Sequence, residues 1–415
     1  MAGHEIADAA TNPDRGWFVT VLHVIPSLAA AHGGPSRAMA LIEQALKGQG
    51  IATETATTDD DGARGRVDRA QVDLCREDSA DRRYFRKTTD PYKISIAFLR
   101  WITAHVRDYQ VLHIHALFSF TSTVAALVAR RSGIPYVIRP VGTLAPYGMG
   151  KRRPWAKKLS VALFERRILR DAAAIHCTSV DEQNQVAALG FCAPGVVIPL
   201  ALDPAPSADV AAFLARFPNV QPGFVLFVGR LNPVKNLESL LGAIALCADA
   251  LPEQQWVIVG DGAPDYSAQL RQLADKLAIS DRVLWAGHLE GGVKAAAFSL
   301  AKLFVLPSFS ENFGIAAAEA LQGGLPVVLG TGVAISRQVA SAGAGKAVEP
   351  VPDAIAGAVR AYLLDPVALA QAAAKAKRLA EEEFSLAVMG ARLAALYDNI
   401  LSAPDQKWTG AVGDA

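Results

Sequence analysis

Two short stretches in the second half of the chain carry side chains suited to binding an anion and a sugar. The stretch VGRLNPVKN (228–236) places Arg230 and Lys235 in one loop after an apolar run, where two cations can neutralise a diphosphate. The stretch SFSENFGIAAAE (308–319) carries Glu311, Gly314 and Glu319 after a later apolar run. A carboxylate can hold the vicinal diol of a sugar, as in dinucleotide sites. Each residue alone is as consistent with a solvated surface, but together they favour a nucleotide-sugar site.

A pair of glycines near the start of the chain is a weaker candidate. Gly33 and Gly34 follow the first apolar run and precede a helical pattern. Glycine lets the backbone approach a ligand closely, and a helix N-terminus favours an anion. A plain tight turn explains two glycines at least as well, so the pair alone decides nothing.

Apolar runs that alternate with helical patterns must position these residues. The first series of runs covers 18–25, 111–115, 135–139, 173–178 and 196–199, and the second covers 224–229, 255–260, 282–287, 303–307 and 326–330. Apolar strands without alternation, joined by helices, predict parallel sheets that are covered on both faces. Ligands bind such sheets beyond the carboxyl ends of the strands, which is where both stretches lie.

The two series of strands predict two domains. A chain of 415 residues exceeds one ordinary core, and two domains of about 200 residues are expected. Between the series, ALDPAPSAD (201–209) has the composition of a linker. We predict an α/β fold of two doubly wound, Rossmann-like domains facing a cleft, over 1–202 and 203–384, with a last helix at 385–401. The charged, poorly periodic stretch 59–90 predicts a surface loop or lid.

Composition narrows the class of protein. A formal net charge of +1 argues against general nucleic-acid binding. The cysteines are scattered without metal-binding spacing and predict reduced thiols in the cytosol: Cys75, Cys177, Cys192 and Cys247. The N-terminal stretch has no apolar core, and no run reaches about 20 apolar residues, so neither a signal peptide nor a membrane span is expected. These observations predict a cytoplasmic protein.

Three motifs, in order along nearly the whole chain, resemble those of the retaining glycosyltransferases of family GT4, which have the GT-B fold. They are GGPSR (33–37), GRLNPVKN (229–236) and S-x-x-E-N-F-G-x-x-x-x-E-A (308–320). The resemblance implies a hexosyltransferase that moves a sugar from a UDP- or GDP-linked donor to a glycan or lipid-linked glycan acceptor, in bacterial polysaccharide biosynthesis. The nucleotide sugar would be a substrate, so no cofactor is expected.

The resemblance also implies roles for individual residues. Arg230 and Lys235 would bind the donor diphosphate and support the leaving group, and Glu311 would hold the donor sugar; these three form the catalytic set. Glu319 would bind the ribose, and the other donor contacts would come from Phe313, Gly314, Gly33 and Gly34. The last helix would return to the N-terminal domain, which would bind the acceptor.

One stretch departs from the family pattern. Many members have a histidine before a glycine after an N-terminal strand, where it contacts the donor sugar, but IRPVGTLAPYG (138–148) has Val141 before Gly142. His115 and Arg139 are the candidates to replace that histidine. A histidine that closes a strand is more often structural, and the residue in this role stays open.

We expect no metal at the site, because cations can stabilise a leaving diphosphate electrostatically. The D-x-D run Asp59–Asp61 would suit a metal-dependent transferase of another fold. It lies in a polar loop, and the two-domain pattern contradicts that alternative.

A basic stretch bears on the acceptor. KRRPWAKKLSVALFERRILR (151–170) has eight basic residues and one acid, with Trp155, Leu159 and Leu163 at helical spacing. Such a helix can lie on an anionic membrane surface, which would allow peripheral contact with the cytoplasmic face of the inner membrane. A solvated helix whose apolar stripe faces its own domain is the alternative.

Other classes of protein remain to be separated. A dinucleotide oxidoreductase would need a complete G-x-G-x-x-G, whereas GDGAPD (260–265) and GTGVAI (330–335) lack the third glycine and occur late in the chain. An epimerase or phosphorylase with the GT-B fold shares the architecture, because a fold does not fix a function. A non-catalytic protein that binds nucleotide sugars would keep the site without turnover.

Overall fold

The computed structural model describes residues 20–29, 34–62, 65–66, 81–89, 91–144, 165–190 and 192–402. The chain forms two compact units. The first comprises the residues up to Ala201 together with those from Leu386 onward, and the second runs from Leu202 to Ser385. The sequence pattern predicts a division at 202/203 and a last helix at 385–401.

A parallel sheet of seven described strands forms the centre of the first unit. The strands are β1 (Thr20–Ser27), β2 (Ala52–Thr58), β3 (Asp81–Phe85), β4 (Val111–His115), β5 (Tyr136–Arg139), β6 (Ala174–Cys177) and β7 (Gly195–Val197). Their order is β3-β2-β1-β4-β5-β6-β7, and neighbouring strands run parallel. Every residue of β4, β5 and β6 is buried, as expected when helices cover both faces of a sheet.

Five described helices of the first unit precede the second unit, and three of them begin at a capping serine. They are α1 (Gly34–Lys47), α2 (Ile96–His105), α3 (Phe120–Ser132), α4 (Arg166–Asp171) and α5 (Val180–Ala188). The hydroxyls of Ser95, Ser119 and Ser179 accept hydrogen bonds from backbone amides at the starts of α2, α3 and α5, which satisfies donors that the helices leave unpaired. Helix α3 ends at Gly133, whose φ is +73°, a conformation that glycine adopts without strain.

The second unit contains a parallel sheet of six strands. They are β8 (Phe224–Val228), β9 (Trp256–Val259), β10 (Val283–Gly287), β11 (Ala301–Leu306), β12 (Val327–Gly330) and β13 (Gly345–Val348). Their order is β10-β9-β8-β11-β12-β13, so the strand order reverses between β8 and β11. Loops diverge at such a point and leave a crevice beyond the carboxyl ends of the strands. Both motifs of the second unit lie in these two loops.

Eight helices connect and cover the strands of the second unit. They are α6 (Val210–Arg216), α7 (Leu237–Cys247), α8 (Pro264–Lys276), α9 (Gly291–Leu300), α10 (Ile315–Gln322), α11 (Ser336–Ala342), α12 (Pro352–Leu363) and α13 (Pro366–Glu383). Three of them begin with proline, which needs no intrahelical donor at the first helical position.

The last helix, α14 (Leu386–Ser402), belongs to the first unit. Met389, Leu393 and Tyr397 are buried with residues of α1 and one face of the first sheet. Gly390 allows α14 to approach α1 closely, because a Cβ there would lie 2.5 Å from the carbonyl oxygen of Ala45. The opposite face of the sheet packs against α2 and α3.

The architecture confirms the predicted α/β fold of two doubly wound units, but one expectation for the first unit is wrong. The stretch 59–90 is not only a loop, because β3 lies within it and pairs with β2. Its sequence DRRYF lies at the sheet edge and stays partly exposed, so it lacks the continuous apolar run of a central strand. Its Phe85 ring packs edge-on against Phe98, with centroids 5.5 Å apart.

Two features bear on a membrane. Most of the basic stretch, 151–164, lies outside the described residues. By length and composition alone, Pro366–Ser402 is long and apolar enough to cross a membrane, with 44% of the tested window buried. This is weak support for a span, because the stretch consists of α13, which packs in the second unit, and α14, which packs in the first.

Candidate functional site

The loop after β8 carries the two predicted cations. Arg230 is exposed, and Lys235 ends a short 3₁₀ helix, Pro233–Lys235, whose Val234 amide donates to the Asn232 side chain. The loop after β9 packs tightly against this loop. A Cβ at Gly260 would lie 2.0 Å from the carbonyl oxygen of Gly229. Only glycine fits at that position, and the close contact fixes the path of the backbone that leads to Arg230.

The loop after β11 carries Glu311 and leads into α10. The Glu311 amide donates to the carbonyl oxygen of Gly332 at 2.9 Å, which anchors the turn to the neighbouring loop. Gly314 has a φ of +94° and caps α10. The Phe313 side chain is buried and meets Phe384 edge-on at 5.4 Å. The turn is therefore fixed on both sides of Glu311.

The two loops are joined to each other by hydrogen bonds. The Phe309 amide donates to the carbonyl oxygen of Val234 at 2.9 Å. The Asn236 side chain donates to the carbonyl oxygens of Pro307 at 3.2 Å and Pro350 at 2.7 Å. Asn236 is buried and has a φ of +56°, a conformation that asparagine tolerates better than most residues. The position of Lys235 relative to Glu311 therefore depends on Asn236.

Lys235 and Glu311 form an ion pair. The Lys235 Nζ contacts Glu311 Oε1, and the Ser308 hydroxyl donates to the same oxygen at 3.2 Å. Burial and the nearby Arg230 guanidinium lower the pKa of Lys235 to about 8, while the adjacent carboxylate favours the charged ammonium. The residues predicted to bind a diphosphate and a sugar thus touch each other.

Glu319 pairs with a lysine that sequence reasoning missed. The Lys294 Nζ, in α9, donates to both carboxylate oxygens of Glu319, each at 2.7 Å. Both side chains keep more than a quarter of their surface exposed, 29% for Lys294 and 28% for Glu319. A ligand in solvent can therefore reach the pair.

In the first unit, the structure places His115 and Arg139 inside the core. His115 is 0% exposed and Arg139 is 2% exposed, and they occupy paired positions on β4 and β5. The contact of either side chain with a donor sugar stays a prediction. Gly34 is the first residue of α1, and Gly33 lies outside the described residues.

His115 belongs to a row of four buried histidines on the sheet face that α14 covers. The His113 ring bonds to the Tyr397 hydroxyl at 2.7 Å and to His176 at 3.2 Å, and the His23 ring bonds to His115 at 3.0 Å. Burial and the Arg139 charge lower the pKa of His23 and of His176 to about 3. The same causes, with mutual repulsion among the rings, hold the pKa of His113 and of His115 well below the usual value. The row is therefore neutral in the folded protein.

Three of these rings have the ligand type of a metal site but do not fit one. The ligand atoms of His23, His113 and His115 lie within 4.8 Å of one another. Both ring nitrogens of His113 are already hydrogen-bonded. The buried guanidinium of Arg139, whose pKa burial lowers to about 10, lies on the neighbouring strand. Its positive field opposes a second cation in a medium of low dielectric constant.

The loop after β5 is held by a buried glutamate. Val141 and Gly142 both have positive φ, +57° and +68°, and the Gly142 amide donates to Glu182 Oε1 at 3.0 Å. The other oxygen of Glu182 accepts from the Thr178 amide at 2.7 Å. Glu182 therefore shapes the turn that contains Val141 and Gly142.

The Asp59 and Asp60 carboxylates of the D-x-D run contact basic side chains of the protein. Asp60 is buried and pairs with Lys87 at 2.9 Å and with Lys93 at 2.5 Å. Asp59 accepts from the Lys87 amide at 2.7 Å and faces Arg66 at 3.5 Å. Two of these carboxylates are thus held by lysine and arginine groups.

Comparison with known proteins decides the family. The Glycosyl transferase 4-like domain matches residues 33–201, and the Glycosyl transferases group 1 family matches residues 215–381. The phosphatidyl-myo-inositol mannosyltransferase of Mycolicibacterium smegmatis is 30% identical over 331 residues, which are 75% of this chain and 79% of that protein. The chain is a group 1 glycosyltransferase of family GT4.

Solved structures of glycosyltransferases share its fold. Sucrose-phosphate synthase from Thermosynechococcus elongatus has a TM-score of 0.70 at 21% identity and covers 93% of this chain and 100% of its own. Anabaena HepE in complex with UDP has a TM-score of 0.73 at 19% identity, with coverage of 92% and 100%. HepE in complex with UDP-glucose has a TM-score of 0.68 at 20% identity, with coverage of 92% and 99%. These neighbours confirm the GT-B fold of the glycosyltransferase.

The structure brings three of the predicted site residues of this glycosyltransferase together within the second unit. Arg230, Lys235 and Glu311 share one corner of the second unit, and Glu319 lies in the helix that follows. Three residues escaped sequence reasoning: Lys294, Asn236 and Glu182. Asn236 precedes a helical run and Glu182 completes an S-x-x-E start of a helix, so both had a local signal. Lys294 had none, because its partner lies 25 positions away.

Proposed function

We propose that this glycosyltransferase is a retaining hexosyltransferase with a UDP- or GDP-linked sugar as donor and a glycan or lipid-linked glycan as acceptor. The ion pair between Lys235 and Glu311, with Arg230 in the same loop, carries the proposal. A cation suited to a diphosphate and a carboxylate suited to a sugar hydroxyl occupy neighbouring positions. A sugar diphosphate carries the two matching groups, a diphosphate and sugar hydroxyls, side by side.

The donor binds by exchange of partners. Its diphosphate takes Lys235 and the exposed Arg230, and the Glu311 carboxylate is released to accept hydrogen bonds from the sugar hydroxyls. The Ser308 hydroxyl, already bonded to Glu311, holds the carboxylate during the exchange. Amides at the start of α10, near Phe313 and Gly314, face the same phosphates or sugar.

The reaction needs a stabilised leaving group more than a carboxylate nucleophile. As the bond between the anomeric carbon and the diphosphate oxygen breaks, negative charge grows on the diphosphate beside Arg230 and Lys235. The acceptor oxygen bonds to the anomeric carbon on the same face, and its proton passes to the leaving phosphate oxygen. Because the two cations stabilise the developing charge, the step proceeds without a metal ion.

Relatives support the classes of donor and acceptor. The HepE structures contain UDP and UDP-glucose, which favours a uridine donor over a guanosine donor. The mycobacterial relative is named for an inositol lipid, which favours a lipid-linked acceptor. We place acceptor binding in the first unit, and the enzyme in bacterial polysaccharide biosynthesis at the cytoplasmic face of the inner membrane.

Two assays test the proposal in sequence. A thermal-shift screen of UDP, GDP and ADP identifies the base, because a ligand of the native state raises its melting temperature. Product analysis with the matching radiolabelled nucleotide sugar then separates the alternatives. Transfer of label to an acceptor supports the proposal. Interconversion of the sugar would indicate an epimerase, and tight binding without product would indicate a non-catalytic binding protein.

A further inference from the structure

The turn that carries Glu311 contains two phenylalanines with opposite surroundings. Phe313 is 3% exposed and packs edge-on against Phe384, whereas Phe309 is 54% exposed. The first ring anchors the turn, and the second ring presents an apolar surface to solvent.

The backbone of Phe309 is held from two sides although its ring is exposed. Its amide donates to the carbonyl oxygen of Val234 at 2.9 Å, in the loop that carries Lys235. Its carbonyl oxygen lies against the loop after β12, because a Cβ at Gly332 would approach that oxygen to 2.1 Å. Only the side-chain torsions of the ring remain free, so ordering the ring on a ligand costs little conformational entropy.

The neighbours of Phe309 in the chain suit a sugar. The Ser308 hydroxyl, on a residue that is 0% exposed, donates to the Glu311 carboxylate at 3.2 Å. This bond restrains a carboxylate two residues after the exposed ring, and a carboxylate accepts hydrogen bonds from hydroxyls. One short turn thus offers both a hydrogen-bond acceptor and an aromatic face.

These two surfaces match the two surfaces of a pyranose ring. The hydroxyls of a pyranose project from its rim, whereas its faces carry C–H groups that are apolar and slightly positive. The face of an aromatic ring carries the negative part of its quadrupole, so it attracts such C–H groups, and the contact removes apolar surface from water. A diphosphate, by contrast, gains nothing from an apolar ring.

Exposure alone does not set Phe309 apart. Leu364 and Val367, at the junction of α12 and α13, are 60% and 66% exposed, and single exposed apolar residues are common on protein surfaces. Phe309 differs because the loops after β8 and β12 fix its backbone and because its own loop carries Glu311.

We propose that Phe309 is a stacking surface for the C–H face of a pyranose ring in this glycosyltransferase. Two sugars present that chemistry during the reaction: the sugar of the donor and the sugar of the acceptor that receives it. The inference rests on the proposed function, because it names a sugar contact of the same site. It assigns the ring no contact with the base, the ribose or the diphosphate.

The test separates the sugars from the nucleotide. Calorimetry measures the affinity of the nucleoside diphosphate found in the thermal-shift screen and of the nucleotide sugar that gives transfer in the product analysis. Steady-state kinetics measure kcat and the KM for the acceptor. The proteins are the parent, Phe309→Ala, Phe309→Leu and Phe309→Tyr, compared by melting curve. Leu364→Ala is the matched control, because it removes a similarly exposed apolar side chain from the same unit.

We expect Phe309→Ala to keep its affinity for the nucleoside diphosphate and to lose about fivefold in at least one sugar-dependent quantity, as for one aromatic contact. Weaker binding of the nucleotide sugar assigns the ring to the donor sugar. A higher KM for the acceptor, with donor binding unchanged, assigns the ring to the acceptor sugar. Phe309→Tyr, which keeps the ring, and Leu364→Ala should behave as the parent, and Phe309→Leu should recover only part of the loss.

Three results would overturn the inference and leave the proposed function intact. The first is a Phe309→Ala variant with parental values for both sugars. The second is an equal loss of affinity for the nucleoside diphosphate and the nucleotide sugar, which would place the ring against the nucleotide. The third is a Phe309→Leu variant that behaves as the parent, which would show that any apolar side chain suffices. If the parent binds no nucleoside diphosphate, the proposed function fails and this inference fails with it.

Discussion

The Lys235 ammonium contacts the Glu311 carboxylate, although the two residues lie 76 positions apart in the chain. They follow β8 and β11, the two strands between which the order of the second sheet reverses. Each side chain is only 17% exposed. A diphosphate that binds Lys235 must therefore replace a partner that is already in place, which gives the site a measurable signature.

Replacing Glu311, the partner of Lys235, should strengthen binding of the nucleoside diphosphate product. We expect Glu311→Gln to raise affinity for the nucleoside diphosphate by roughly fivefold, a factor equal to about 1 kcal/mol and the upper value for an ion pair near the surface, because Lys235 no longer has to leave a carboxylate. Turnover of the nucleotide sugar should fall, because the glutamine amide accepts sugar hydroxyls less strongly. Calorimetry and steady-state kinetics measure the two effects.

Glu253→Gln is the control for this substitution, because Glu253 is an exposed acid of the same unit at the other end of the sheet. It should change neither quantity. A Glu311→Gln variant with unchanged product affinity and unchanged turnover would show that the ion pair has no part in donor binding.

The two cations should matter more for the rate than for binding. We expect Arg230→Ala and Lys235→Ala each to lower kcat about 10²-fold, by analogy with loss of an oxyanion-hole donor, because negative charge on the diphosphate grows toward the transition state. Arg230→Lys should also be harmful, since a point charge cannot reproduce the planar guanidinium. Kinetics on variants with parental melting curves provide the measurement.

Lys276→Ala, at an exposed lysine of α8, controls for the loss of any positive charge. If KM for the donor rises while kcat stays within about twofold of the parent, the cations supply uniform binding only. The leaving-group role would then be wrong, and the nucleotide site could still be correct.

Activity should survive removal of divalent metal. The two cations beside the diphosphate do the work that a metal ion does in other transferases, so turnover in EDTA should equal turnover without it. The measurement is initial rate before and after dialysis against EDTA. Complete loss of activity that manganese or magnesium restores would contradict the roles given to Arg230 and Lys235.

The four buried histidines should make the first unit sensitive to acid. Their pKa values are lowered in the folded protein, so below about pH 6.5 the unfolded chain binds protons that the folded chain does not. The free energy of unfolding therefore falls as pH falls. Each histidine contributes up to about 1.4 kcal/mol per pH unit, and the four together about 5 kcal/mol between pH 7.5 and 5.5.

Chemical denaturation across that pH range measures the slope. His176→Gln should reduce it by about a quarter, since one of four equivalent groups is removed. His288→Asn, at a histidine with 68% side-chain exposure, should leave it unchanged. A parent protein whose stability is flat between pH 7.5 and 5.5 would contradict the neutral, buried state of the row.

The sequence predicts the central strands well because their signal is local. A strand such as β8 is buried along its whole length and reads as an unbroken apolar run. Strand β3 escapes because it lies at the sheet edge and mixes charged with aromatic residues. The loops that carry Arg230 and Glu311 are placed correctly for the same reason, since each follows a well-predicted strand.

Partners and burial depend on the fold and are harder to predict. Nothing near Lys294 in the sequence indicates Glu319, because the two side chains meet only once the second unit has folded. His115 and Arg139 close their strands, which suggested access to a ligand. The direction of a side chain at a strand end is decided by the face that the register gives it, and here α14 covers that face.

The return of α14 to the first unit has a consequence for synthesis of the chain. The His113 ring and the Tyr397 hydroxyl that bonds to it are 284 positions apart. While the ribosome is still making the second unit, the histidine row of the first sheet has no cover from α14. The second unit is continuous in sequence and can fold as soon as it has emerged. The first unit is therefore translated first but completed last. Truncation of the chain within α14 would expose the core of this first unit.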